Sequence, residues 1–210
     1  MRTLRLLALA TLLSGPVLAD DPLFPIGAAW EWTYERVEGQ GLETTEVRSV
    51  EQTGLEGSYE VATLAVLIGD PATPLPVAQR IKYGRLAGAI YRFGEATDRE
   101  LHSYDPPVNF LEARIEPGAS WTWRGTERWE TKGKEPRSAP ASIRFEVEGV
   151  EEVATGAGKM KAFRIRETHE TSGVSIARWF VPGTGVVREE EAIDTGTTWS
   201  MTLESFRRGR

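Results

Sequence analysis

The sequence predicts an all-β fold, an antiparallel and strongly curved sheet arranged as a half-open or closed barrel or as a sandwich. Period-two alternation of apolar and polar residues recurs along the chain after its first twenty residues, in short segments separated by Gly, Pro or charged turns. Helical periodicity is almost absent. About twelve such segments follow one another at hairpin-length spacing, the pattern of antiparallel sandwiches and barrels.

The first strand carries Trp30, Trp32 and Tyr34 on one face and Glu31, Thr33 and Glu35 on the other. Tyr59 to Ile68 (YEVATLAVLI) turns apolar on both faces near its end, as a buried strand does. Val77, Ile81 and Tyr83 alternate with Arg80 and Lys82. Ala89, Tyr91 and Phe93 form the apolar face that follows a Gly-centred turn. Trp121, Trp123 and Trp129 alternate with Thr122, Arg124 and Glu130, and Ile143, Phe145 and Val147 with Arg144, Glu146 and Glu148. Phe163 and Ile165 lie between Arg164 and Arg166. Val174 to Val181 and Val186 to Ile193 flank Pro182-Gly183, and Trp199, Met201 and Leu203 form the last strand. Thr131 to Pro140 (TKGKEPRSAP) reads as a polar loop.

One motif occurs twice. PIGAAWEW (25–32) and EPGASWTW (116–123) share Gly-Ala-x-Trp-x-Trp, so Gly27, Trp30 and Trp32 map onto Gly118, Trp121 and Trp123 at an offset of 91. A looser echo relates YGRLAGAIYR (83–92) to WFVPGTGVVR (179–188). Two pseudo-repeats of roughly ninety residues, 20–107 and 108–210, would together form one all-β domain spanning 20–210. The glycine lets the chain enter a strand at a sharp angle, and Trp at i and i+2 sets two indoles on one face. Trp30, Trp32, Trp121 and Trp123 are therefore the candidate ligand-binding residues, on the concave side of the sheet, unless they fill a closed core.

The N-terminus reads as a secretory signal. Arg2 and Arg5 precede the apolar run Leu6 to Leu13, and Val17 and Ala19 occupy the −3 and −1 positions of a cleavage site after Ala19. The apolar run is too short to span a bilayer, and no later stretch approaches the length of a transmembrane helix. The mature chain is expected in the periplasm or outside the cell. It contains no cysteine, so disulfides do not staple it. Without Arg2 and Arg5 it has 23 basic and 31 acidic residues, a net charge of −8, which argues against nucleic acid and anionic membrane surfaces as partners. Arg outnumbers Lys by 20 to 5, while Asn occurs once and Gln three times. Depletion of heat-labile side chains beside abundant Glu and Arg fits a thermophile protein, and a GC-rich genome produces the same Arg bias.

No catalytic constellation stands out. There is no cysteine nucleophile and no Gly-x-Ser-x-Gly elbow, and the two histidines, His102 and His169, lack metal-ligand spacing. Gly156-Ala-Gly-Lys159 lacks the Ser/Thr and first Gly of a phosphate loop and reads as a hairpin turn. With 25 glutamates, any nominated carboxylate pair is uninformative. No metal or cofactor is expected.

The stretch WFVPGTGVVR (179–188), preceded by Glu152-Val153, the hairpin Gly156-Ala-Gly-Lys-Met-Lys-Ala162 and the strand Gly118-Ala-Ser-Trp121, resembles the TapB-like exported bacterial proteins and related envelope families of unknown function. The resemblance covers roughly Pro107 to Arg188. It departs from the family pattern at Gly156 (for Pro) and Met160 (for Phe). Its motifs are turns, so it implies a fold and an envelope location and supplies no catalytic residues. The expectation is an exported, non-enzymatic binding module for an apolar or extended ligand. The alternatives are a structural accessory of a cell-surface complex, whose partner would be an envelope protein, and a hydrolase.

Overall fold

The computed structural model describes residues 24–26, 30–39, 41–70, 73, 76–193 and 196–208. The signal segment with its cleavage site, and Gly27 of the first motif, lie outside them. Twelve strands follow in chain order: β1 (Glu31–Glu38), β2 (Glu43–Glu56), β3 (Tyr59–Gly69), β4 (Val77–Leu86), β5 (Ala89–Ala96) and β6 (Glu100–Leu111), then β7 (Ser120–Thr131), β8 (Arg137–Thr155), β9 (Gly158–His169), β10 (Ser175–Val181), β11 (Gly185–Ile193) and β12 (Gly196–Arg207). Each strand pairs antiparallel with the next. β1 closes the ring on β12, from Glu31↔Arg207 to Glu38↔Trp199. The alternatives left open by the alternation thus resolve to a closed up-and-down barrel, which leaves no sheet edge to protect.

Alternation decides what faces in. Trp32 and Tyr34 of β1, Leu64 and Val66 of β3, Ile143, Phe145 and Val147 of β8, and Met201 and Leu203 of β12 are buried. The outer wall instead carries cross-strand ion pairs, among them Arg80–Glu51 (2.7 Å) and Arg164–Glu148 (2.8 Å). A membrane-spanning barrel carries an apolar band in that position. No helix among the described residues is long and apolar enough to cross a membrane.

One end of the barrel is filled by rings. Phe24 enters there ahead of β1 and packs against Tyr83 (5.2 Å), Phe110 (6.3 Å), Trp32 and Phe180 (both 6.4 Å). Ile26 is buried beside it. Indole and phenol protons in this core find carbonyls: Trp32 Nε1 donates to Thr184 O (2.6 Å) and Tyr34 Oη to Val186 O (2.9 Å), both reaching past β12 to the β10–β11 hairpin.

Two sequence expectations are corrected. Residues 131–140 are not a continuous loop, because β8 begins at Arg137 and Pro140 lies opposite Thr126 within the β7–β8 ladder. β9 pairs with β8 only from Ile143 onward, so the missing N–H of Pro140 costs no rung on that side. In β5 it is Ile90 and Arg92 that face in. Tyr91 and Phe93 lie on the other face, each edge-on to Tyr59 (5.2 and 5.1 Å).

The repeated motif falls on β1 and β7, six strands apart, and the looser echo falls on the β4–β5 and β10–β11 hairpins, again six apart. Trp32 and Trp123 both point into the barrel.

A candidate ligand site in the polar half of the barrel

Beyond the aromatic end, the same inward positions change from apolar to charged. β1 continues from Tyr34 to Arg36, β10 inserts Arg178 between Ile176 and Phe180, and β9 continues from Ile165 to Glu167 and His169. β2 contributes Glu46 and Arg48. Bulges supply the rest. The register slips between Trp179 and Phe180 opposite β11, so Val186 and Glu189 both face in despite their odd spacing. A slip between Arg92 and Gly94 likewise turns Arg92 and Glu95 to the same side. Gly94 is required for it. A Cβ there would overlap the His102 carbonyl oxygen and lie 2.9 Å from Ser103 Cα.

These side chains form one unbroken ionic run. Arg36 Nη1 donates to Glu46 (2.9 Å), and Arg48 Nε donates to the other oxygen of Glu46 (2.6 Å). Arg48 Nη1 reaches Glu189 (3.3 Å), which also meets Arg178 (3.1 Å). Arg178 donates to Glu167. Glu167 accepts from Arg92 Nη2 (2.8 Å) and from His169 Nε2 (2.7 Å). Glu127 stands between the imidazoles, 4.0 Å from His169 and 3.9 Å from His102, whose Nδ1 faces Glu95 at 3.5 Å.

The run rests on the aromatic filling. Arg92 lies over Tyr104 (5.1 Å) and Phe110 (5.5 Å), Arg178 over Phe110 (5.1 Å), Arg48 over Tyr34 (5.3 Å) and Arg36 over Trp199 (4.1 Å). Above it opens a cavity of about 360 Å³. The four arginines line it together with Glu46, Glu95, Glu189, Glu191, His102 and His169, and an apolar share comes from Val66, Ile68, Ile81, Ile176, Val186 and Trp199.

Burial by itself would raise the Glu167 carboxyl, yet Arg178 and Arg92, aided by His169, hold it well below the ordinary carboxylate range. Burial likewise opposes ionisation of Glu189, and Arg178 and Arg48 override it. Glu95 is also lowered against burial, by its hydrogen bond to His102 and by Arg92. Burial pushes the Tyr34, Tyr83 and Tyr104 phenols up, so all three remain neutral donors. Glu95, Glu167 and Glu189 are thus held as anions beside the guanidinium cations of Arg48, Arg92 and Arg178.

The four indoles singled out by sequence lie elsewhere. Trp30, Trp32 and Trp123 are buried in the core, and Trp121 is half-buried, stacked on Phe145 at 5.2 Å. Trp121 and Trp123 donate to the carbonyls of Asn109 (2.8 Å) and Pro106 (3.0 Å). None of the four lines the cavity; Trp199 does. Sequence reasoning nominated none of the charged residues. The available signal was a charge in phase with apolar neighbours, as in Ile176-x-Arg178-x-Phe180 and Ile165-x-Glu167-x-His169.

No protein-family model matches the sequence, and no curated protein matches it significantly. Solved structures do match. One, from Bacteroides fragilis, is of a protein inferred to be exported, with a YmcC-like fold. It is 16% identical with a TM-score of 0.60, over 90% of this chain and all of that one. Another, an inferred lipoprotein from Parabacteroides distasonis, is 14% identical with a TM-score of 0.56, over 89% of this chain and 99% of that one. At these identities the likeness is one of fold. Neither is described as TapB-like.

Proposed function

We propose that this chain is an exported, non-enzymatic envelope protein that binds a small ligand in the polar half of its barrel. The observation that carries the reading is the cavity of about 360 Å³ floored by a buried ionic run. Buried ion pairs are poor stabilisers, because desolvation offsets most of their attraction and apolar packing of similar volume serves as well. Four arginines and three glutamates whose side chains are at most 13% exposed, placed at an opening, are better accounted for as recognition groups than as core. The lining is largely charged, so the ligand is polar or amphipathic rather than a bare hydrocarbon.

Export is supported by the Arg2-to-Ala19 segment and by the same fold in proteins inferred to be exported or lipid-anchored. That keeps the chain beside the envelope families, TapB-like ones included, that its 179–188 hairpin resembles. The non-enzymatic reading draws on the charges. Carboxylate-pair hydrolysis needs one carboxyl raised to serve as an acid near neutral pH, and Glu95, Glu167 and Glu189 are all shifted the other way. An assembly role by strand addition has little to use. The ring is closed, the stretch of β8 that outruns β9 contains Pro140, and the flank of β2 that outruns β1 carries Glu51, Gly54 and Glu56.

The test is a thermal-shift titration with amphiphiles of one chain length and different head groups (acid, alcohol, amine, sugar), against the wild type and Ile68→Trp, which fills the cavity. At least one should raise Tm in a concentration-dependent way in the wild type only. No shift with any of them would sink the proposal.

A further inference from the structure

Resting on that reading, we propose that Arg92 anchors the ligand by an oxyanion, and that the ligand class is a small monocarboxylate with an apolar body. Arg92 is the underused member of the ionic run. Its side chain is 7% exposed, and it donates one hydrogen bond, from Nη2 to Glu167. Its Nε is buried with no acceptor. The other arginines are more fully engaged: Arg48 bridges Glu46 and Glu189, Arg178 bridges Glu189 and Glu167, and Arg36 bridges Glu46 and Glu38. Arg92, a residue of the cavity wall, is thus left with an unpaired donor, and a buried donor without a partner carries its full desolvation cost. Tyr104 and Phe110 pack against the guanidinium, and a guanidinium N–H donor is what arginine offers a carboxylate. A second buried polar atom on the same cavity, His102 Nε2, is also without a hydrogen bond.

The charge of the ligand follows from the other lining groups. Glu46, Glu95, Glu189 and Glu191 face the same space and offset the four arginines, so a dianion such as a phosphate monoester meets repulsion that a single negative charge tolerates. Its body is set by Val66, Ile68, Ile81, Ile176, Val186 and Trp199. The volume lies near the small end of the roughly 300–1,000 Å³ typical of ligand sites.

Isothermal titration with octanoate, octan-1-ol and inorganic phosphate separates the claims. Octanoate should bind the wild type about tenfold or more tightly than octanol. Arg92→Gln should abolish that preference, and Arg92→Lys should retain only part of it. A readout independent of any variant's folding is the Arg92 Nε–H resonance of the wild-type protein, which should shift with octanoate and not with octanol. Equal affinity for octanoate and octanol, or an unmoved resonance on octanoate binding, overturns the role of Arg92 while leaving a binding barrel. Displacement of octanoate by millimolar phosphate overturns the monocarboxylate preference. Binding of neither octanoate nor octanol overturns this proposal and counts against the binding reading as well.

Discussion

Replacing Glu167 by Gln tests whether the ionic run is as dry as its burial implies. The carboxylate is 1% exposed and accepts from three side chains: Arg92 at 2.8 Å, His169 at 2.7 Å, and Arg178. Gln keeps the volume and removes the charge. Arg178 retains Glu189, but Arg92 loses its one hydrogen-bonded anion. Removing one partner of a buried pair costs about 3–5 kcal/mol. That is a large part of the roughly 5–15 kcal/mol by which a domain is stable. Glu51→Gln is the control. Glu51 meets Arg80 at 2.7 Å, but the two side chains are 36% and 51% exposed, and such pairs contribute about 0–1 kcal/mol. Urea titrations of both variants, with unchanged m-values, give the difference directly. A Glu167→Gln cost within about 1 kcal/mol, no larger than the control, would refute the argument, because the carboxylate would then be solvated. Replacing Glu167, Arg92 and Arg178 together by Met should recover most of the loss, since apolar substitution of a whole buried cluster is often neutral or stabilising. The same protein should no longer distinguish octanoate from octanol.

Acid should act through the same groups. Glu167 and Glu189 titrate lower folded than unfolded, so their contribution is fully present above the unfolded carboxylate value of about 4.3 and is lost as pH falls below it towards their folded values. Urea midpoints measured from pH 7 downwards should fall in that acid window, and Glu167→Gln should flatten the decline. Gly94→Ala should cost about 2–3 kcal/mol, because the new Cβ meets backbone of β6 rather than a movable side chain, with amide shifts centred on β5 and β6 in an NMR spectrum. Phe24→Ala should cost about 3–5 kcal/mol in the same urea assay, since it empties the aromatic end of a ring that touches four others.

Alternation made the strands legible and, with them, most of the core. Ile143, Phe145 and Val147 are inward as their spacing requires, and so are Trp32, Tyr34, Met201 and Leu203. The candidate site was less legible, for two physical reasons. The first is that catalytic and metal-binding groups show themselves by spacing, whereas these groups act through burial. Arg178 between Ile176 and Phe180 was visible, as was Glu167 beyond Ile165. The second is the bulges. Parity cannot choose between Glu189 and Glu190, nor place Glu95 on the side of Arg92. A one-residue slip reverses every side chain beyond it, and the slips at Trp179/Phe180 and Arg92/Gly94 decide both cases. The indoles, read as a cleft or a core, lie among the core residues apart from half-buried Trp121, and Trp32, Trp121 and Trp123 each find a carbonyl for the N–H.

The plug at Phe24 also fixes which way the molecule faces. β1 leaves that filled end beside the last residues of β12, with Glu31 opposite Arg207, so both ends of the barrel domain exit at the same pole. The opening lies at the other pole, beside the β1–β2, β3–β4 and β5–β6 turns. A tether on either terminus, whether a lipid, a surface or a fused domain, would hold the barrel by its base and turn its mouth outward. Immobilising the protein through a terminal tag should therefore leave ligand access unchanged, whereas coupling it through Lys132 or Lys134, in the turn between β7 and β8 at the mouth, should obstruct it.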